Sequence, residues 1–122
     1  MTKPALILFG HGARDPQWAH PLQRVQLAVQ ARDPARSVSL AFLEFMEPTL
    51  SACVLSLAEQ GVTEARIVPM FMAQSGHLKR DLPLLIEQAQ QQCPGLRLFL
   101  TEAIGESPDV IAAMASHVLS LE

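Results

Sequence analysis

The chain has 122 residues, enough for one domain, and 49% of them are hydrophobic against 17% charged. Such a composition builds an apolar core and excludes a disordered tail. The formal charge of −3 argues against a general nucleic-acid binder, because such domains are strongly basic. An anionic ligand must therefore be held by local basic residues.

No apolar run approaches the roughly 18 residues of a membrane span. Met1-Thr2-Lys3-Pro4 leads straight into a short apolar run, without the longer h-region and cleavage site of a signal peptide. Cys53 and Cys93 lie far apart and in no C-x-x-C pattern. They read as reduced thiols of a cytoplasmic protein, with iron–sulfur and structural zinc chemistry excluded.

Apolar runs alternate with helical patterns along the whole sequence. Ala5–Phe9 is apolar at every position, as a strand covered on both faces should be. Trp18, Leu22, Val25 and Val29 predict a helix over about 16–31. Ser37–Leu43 alternates, with Val38, Leu40 and Phe42 on one face, which suits a sheet edge. A second helix starts near Pro48-Thr49, carries Leu50, Cys53, Val54, Leu57 and Ala58 as its stripe, and stops at Gly61.

Ala65–Met72 is the third strand. Pro69 inside it removes a ladder donor, so a bulge or an early end of pairing is expected there. Leu82, Leu85, Ile86 and Ala89 predict a third helix over about 80–92, stopped by Pro94-Gly95. Leu96–Leu100 is the fourth strand. Ser107–Leu121 is the fourth helix, with Val110, Met114, His117, Val118 and Leu121 on its stripe.

The order β-α-β-α-β-α-β-α predicts a single α/β domain over 1–122, a four-stranded parallel doubly wound sheet with helices on both faces. In such sheets ligands bind outside the carboxyl ends of the strands. That rule selects Gly10–Asp15, Glu44, and Ala73–Arg80.

His11 lies between two glycines that let backbone approach a ligand closely, although a tight turn with a capping histidine would use the same residues. His77 follows Gly76 in the loop after the third strand. Both loops must emerge at one rim, so the two histidines and Glu44 form a candidate site for a borderline divalent metal with open coordination positions. Glu47 reads as a helix-start charge, and Asp15 and Asp81 as N-caps. Arg14, Lys79 and Arg80 flank the histidines. They are either ordinary surface charge or the holders of an anionic ligand's carboxylates.

His20 reads as exposed, and His117 as a core or subunit-interface residue. With no tyrosine and one tryptophan, no aromatic platform for stacked bases is expected. Gly10-x-Gly12 fails as a dinucleotide fingerprint because position 15 is Asp. Phe9-Gly10-His11-Gly12 lacks the arginine of the histidine-phosphatase motif.

The strings Leu8–Pro16, Ala41–Glu44 with Glu47-Pro48, Val68–Phe71 and Gly76–Pro83 together resemble the small CbiX-type sirohydrochlorin chelatases, in order and at the family's spacing. The resemblance implies a class II chelatase that inserts Co²⁺ into sirohydrochlorin in anaerobic cobalamin synthesis, with Fe²⁺ or Ni²⁺ as the alternative metal. It implies that His11 and His77 bind the metal, with Glu44 in the same cleft. A rim of Arg14, Gly76, Lys79 and Arg80 would then meet the substrate carboxylates, and no organic cofactor is called for. The family often has serine where this chain has Ala13. One lobe of a two-lobed chelatase fits this length, so a homodimer should rebuild the cleft. A non-catalytic carrier of metal or tetrapyrrole is the reading from another class.

Overall fold

A strand that is apolar throughout needs cover on both faces, and Ala5–Gly10 (β1) receives it. The computed structural model describes residues 3–122; Met1 and Thr2, read above for a leader, lie outside the described residues. β1 is joined by Val38–Phe42 (β2), Glu64–Pro69 (β3) and Arg97–Leu100 (β4). The four form one parallel sheet in the order β2-β1-β3-β4, with Leu8 level with Leu40 on one side and Val68 on the other. The alternating strand stands at an edge, as its pattern predicts.

Two helices, Leu50–Glu59 (α2) and Gly76–Gln92 (α3), bury their stripes against one face of the sheet. Ile7, Phe9, Ile67 and Leu82 are wholly inaccessible there, each contributing about 1.5–3 kcal/mol of burial. On the opposite face, helix His20–Arg32 (α1) packs Leu22 with Ala19 and Phe42. A 3-10 turn over Pro16–Ala19 precedes it, and Asp15 caps that turn by accepting from the Gln17 N–H at 3.0 Å. The expected capping role of Asp15 therefore holds, on a 3-10 turn rather than on the helix itself.

α2 is capped by the Thr49 hydroxyl, which accepts from the Ala52 N–H at 3.2 Å. It ends at Gly61 with φ +84, where Gly61 N–H reaches the Ala58 carbonyl and Val62 N–H the Leu57 carbonyl. That double closure is why a residue free to adopt positive φ stands there. β3 ends at Pro69, with pairing to β4 stopping at Ile67 as the missing N–H predicts, while Met70 N–H still donates to the Phe9 carbonyl at 2.8 Å.

Two expectations change. α3 starts at Gly76, not near Arg80, because Ser75 caps it by accepting from the Leu78 N–H at 3.2 Å. Pro83 consequently lies inside the helix instead of in its first turn. His77 is thus in the first turn of α3 rather than in a loop, and Asp81 is a mid-helix residue and no cap.

The fourth helix, Pro108–Leu119 (α4), forms as predicted but buries none of its residues. Ile111, Val118 and Leu119 are exposed, as are Leu121 just beyond it and Phe99 on β4. His117 is likewise exposed, not a core residue, because nothing among the described residues covers the α4 stripe.

Candidate functional site at the carboxyl rim

β1 lies between β2 and β3, so the segment that leaves it is flanked by the loops leaving both neighbours. His11 occupies that central position. The pairing of β1 and β2 continues past the strands: Leu43 N–H donates to the Gly10 carbonyl at 2.9 Å and Glu44 N–H to the His11 carbonyl at 3.1 Å. Gly12, with φ +93, lies so close to the Glu44 carbonyl that a Cβ would overlap it. Glycine at 12 is required twice over, by backbone conformation and by space.

The result is a side-chain pair. His11 Nε2 and Glu44 Oε1 are 3.1 Å apart, with both side chains about half exposed, 48% and 47%. The Phe71 ring and the His11 imidazole meet in a T-shaped contact, with centroids 6.3 Å apart. Phe71 is held in turn, because its carbonyl accepts from the Gly105 N–H at 2.9 Å. An imidazole with one nitrogen on a carboxylate and its remaining surface open is oriented to bind a cation.

His77 makes its own pair, Nε2 to Asp81 Oδ2 at 2.7 Å, one helical turn along α3. Among the described residues, no three of His, Cys, Asp and Glu gather into one metal-binding group. The structure therefore brings His11 and Glu44 together, and places His77 on the neighbouring loop-to-helix junction without joining it to them. The His77–Asp81 contact was legible as an i, i+4 pair, but only once residue 77 is assigned to a helix.

The basic residues divide. Arg14 is exposed, with its guanidinium 4.9 Å from the centre of the Phe45 ring. Gly76, Lys79 and Arg80 are exposed on the first turn of α3. Phe45, which the sequence did not single out, has φ +65 and is 58% exposed. It lines a cavity of about 350 Å³ with Ala13, Arg14, Phe42, Met46 and Pro48, built from the same two loops that carry His11 and Glu44. A larger cleft of about 490 Å³ opens at the amino ends of the strands. Its Asp33 is already paired, with Lys3 at 3.6 Å and Arg36 at 3.2 Å, and it lies at the end of the sheet where ligands of this fold do not bind.

Comparison with known proteins places these residues in a family. A crystal structure of a CbiX protein from Marinobacter aquaeolei VT8 matches with a TM-score of 0.83 and 30% identity, over 97% of this chain and 96% of that one. The sirohydrochlorin chelatase SirB from Bacillus subtilis subspecies spizizenii, solved in complex with cobalt, matches at a TM-score of 0.80 and 26% identity, over 98% of this chain but 51% of its own. The sirohydrochlorin cobaltochelatase of Methanopyrus kandleri is 34% identical over 82 residues. This chain spans 57% of that relative's length. The CbiX family model matches residues 5–121, and the chain belongs to the CbiX family.

Proposed function

We propose that the protein inserts a divalent metal, Co²⁺ foremost, into sirohydrochlorin. The observation that carries this reading is the His11–Glu44 pair, 3.1 Å apart and half open at the carboxyl rim of a parallel sheet. Metal insertion removes two pyrrole N–H protons and needs a cation held with positions left open. His11 supplies a neutral imidazole for the metal, and Glu44 is the adjacent carboxylate that accepts protons. His77 is the second metal ligand in this reading, which requires the first turn of α3 to approach the pair. Arg14, Gly76, Lys79 and Arg80 line the approach of the substrate carboxylates.

Iron is the second reading of the metal. A sirohydrochlorin ferrochelatase of Bacillus subtilis strain 168 is 26% identical over 112 residues, and SirB from Bacillus subtilis was solved with Fe³⁺. Imidazole and carboxylate donors accept Co²⁺, Fe²⁺ and Ni²⁺ alike.

A homodimer belongs to the proposal. The chain covers about half of the cobalt-bound SirB chain, and α4 leaves Ile111, Val118 and Leu119 exposed. A second copy would cover that helix and rebuild the two-lobed length. A cytoplasmic location accords with two buried free thiols; among the described residues no helix is long and apolar enough to cross a membrane.

The test is an anaerobic assay with sirohydrochlorin in large excess over protein and Co²⁺, Fe²⁺ or Ni²⁺ supplied in turn, followed by the macrocycle's absorbance. Multiple turnovers that vanish in His11→Ala are expected. Conversion that stops at one equivalent makes the protein a carrier, and no conversion with any metal overturns the reading.

A further inference from the structure

Phe45 is out of place by two independent criteria. Its backbone lies in the left-handed region at φ +65, which costs a residue with a Cβ about 1–2 kcal/mol. Its ring is 58% exposed, so the strain is not offset by burial of the side chain. Conformations of this kind persist where surrounding structure fixes them, and they concentrate at functional positions. Here the fixing groups are visible. Glu44 N–H is bonded to the His11 carbonyl with Gly12 packed against it, and Phe42 N–H closes on the Pro48 carbonyl at 2.9 Å.

The ring is not bare on every side. Arg14 lies over it at 4.9 Å, a cation–π contact that holds the guanidinium in place ahead of any ligand. The ring and the guanidinium both face the 350 Å³ cavity, whose other walls are apolar apart from Gln23 and Glu47. We infer that Phe45 and Arg14 form one subsite for a flat apolar ring system bearing carboxylates: the Phe45 ring lies against its face, and Arg14 pairs with a carboxylate at its edge. This rests on the tetrapyrrole reading above and assigns Phe45 a task within it. Glu44 meets the metal and the departing protons, while its neighbour in sequence meets the macrocycle.

The chain contains one tryptophan, and it reports on this place. Trp18 packs edge-on against Phe42, with centroids 6.4 Å apart, and Phe42 lines the cavity. Metal-free sirohydrochlorin titrated into the full chain should quench Trp18 fluorescence as it binds. Phe45→Asn tolerates the left-handed backbone but lacks the ring, and should weaken binding about tenfold, the value of roughly 1.4 kcal/mol of lost aromatic contact. Phe45→Tyr keeps the ring and should restore binding. Arg14→Gln should weaken binding and flatten its salt dependence.

Phe45→Gly separates a structural role from a binding one. It relieves the backbone strain, so it should unfold at no lower temperature than the parent while still binding the tetrapyrrole weakly. Binding of Co²⁺ alone, read by its visible absorption, should be unchanged in all four variants. The subsite is overturned if Phe45→Asn and Phe45→Gly bind sirohydrochlorin like the parent, or lose Co²⁺ to the same degree. If the parent chain binds no sirohydrochlorin, the tetrapyrrole reading fails and the subsite with it.

Discussion

Gly12 and Glu44 meet main chain against main chain, the glycine at φ +93 lying where any Cβ would overlap the glutamate's carbonyl oxygen. The His11–Glu44 pair is thus set by backbone contacts, with the Glu44 N–H on the His11 carbonyl at 3.1 Å, rather than by side-chain packing. Gly12→Ala should lower stability by about 2–4 kcal/mol, from left-handed strain plus displacement of the Glu44 segment. Thermal unfolding checks this, with a fall in Tm on the order of 10 °C. A fall of a degree or less would show that the two loops part without cost.

Removing either member of the pair should leave the fold intact, since both side chains are half exposed. His11→Ala should abolish turnover. Glu44→Gln keeps a hydrogen-bonding oxygen but loses the charge, and should weaken Co²⁺ binding about 10–100-fold, the usual effect of losing a ligand's orienting partner. The anaerobic chelatase assay measures the first and calorimetric titration with Co²⁺ the second. Circular dichroism verifies that the variants are folded.

Ser75 sets where α3 begins, and therefore where His77 stands. Ser75→Ala removes the acceptor of the Leu78 N–H and should cost about 1 kcal/mol. Its effect on turnover should exceed its effect on stability, because the frayed turn is the one that carries His77, Lys79 and Arg80. Chemical denaturation and the chelatase assay on the same sample distinguish the two.

Cys53 and Cys93 are buried, 5% and 6% exposed. Burial raises the Cys53 thiol above its ordinary 9.0, an effect partly opposed by a hydrogen bond with Ser39. The thiols should ignore an aromatic disulfide reagent in the native state and react with two equivalents after unfolding. The sign of the pH dependence follows from the raised value. The contribution of Cys53 to stability is fully present below pH 9.0, and is lost as pH rises past it and the unfolded thiol ionises first. Denaturant midpoints between pH 7 and 10 should fall at the alkaline end, and less so in Cys53→Ala.

Val118 is 63% exposed on the uncovered stripe of α4. If a second copy covers that stripe, Val118→Asp buries an unpaired charge and should raise the dimer dissociation constant at least about tenfold. Sedimentation equilibrium gives the answer, since the monomer should remain folded.

The parallel sheet was legible because an all-apolar strand, an alternating strand and a proline-ended strand each carry a distinct pattern. β2 at the edge and the stop at Pro69 both follow from hydrogen-bonding rules alone. The expected start of α3 near Arg80 follows from the apolar stripe that begins at Leu82, whereas the helix begins earlier because Ser75 caps it. The proximity of His11 and Glu44 followed from neighbouring strand ends, while the left-handed Phe45 gave no signal, since a bulky residue seldom takes that conformation. The α4 stripe was legible as periodicity, but nothing among the described residues covers it.

The main-chain bonds that extend β1 and β2 past their ends give the rim two unequal halves. On one side, the amides of Leu43 and Glu44 are bonded like sheet amides, and their hydrogens should exchange slowly. On the other, His77 rides on a helix end fastened by one serine hydroxyl and its carbonyl. A cation bound as proposed would meet a fixed jaw and an adjustable one. Ions of different radius would then be accommodated by the helix end, while the imidazole–carboxylate half keeps its spacing.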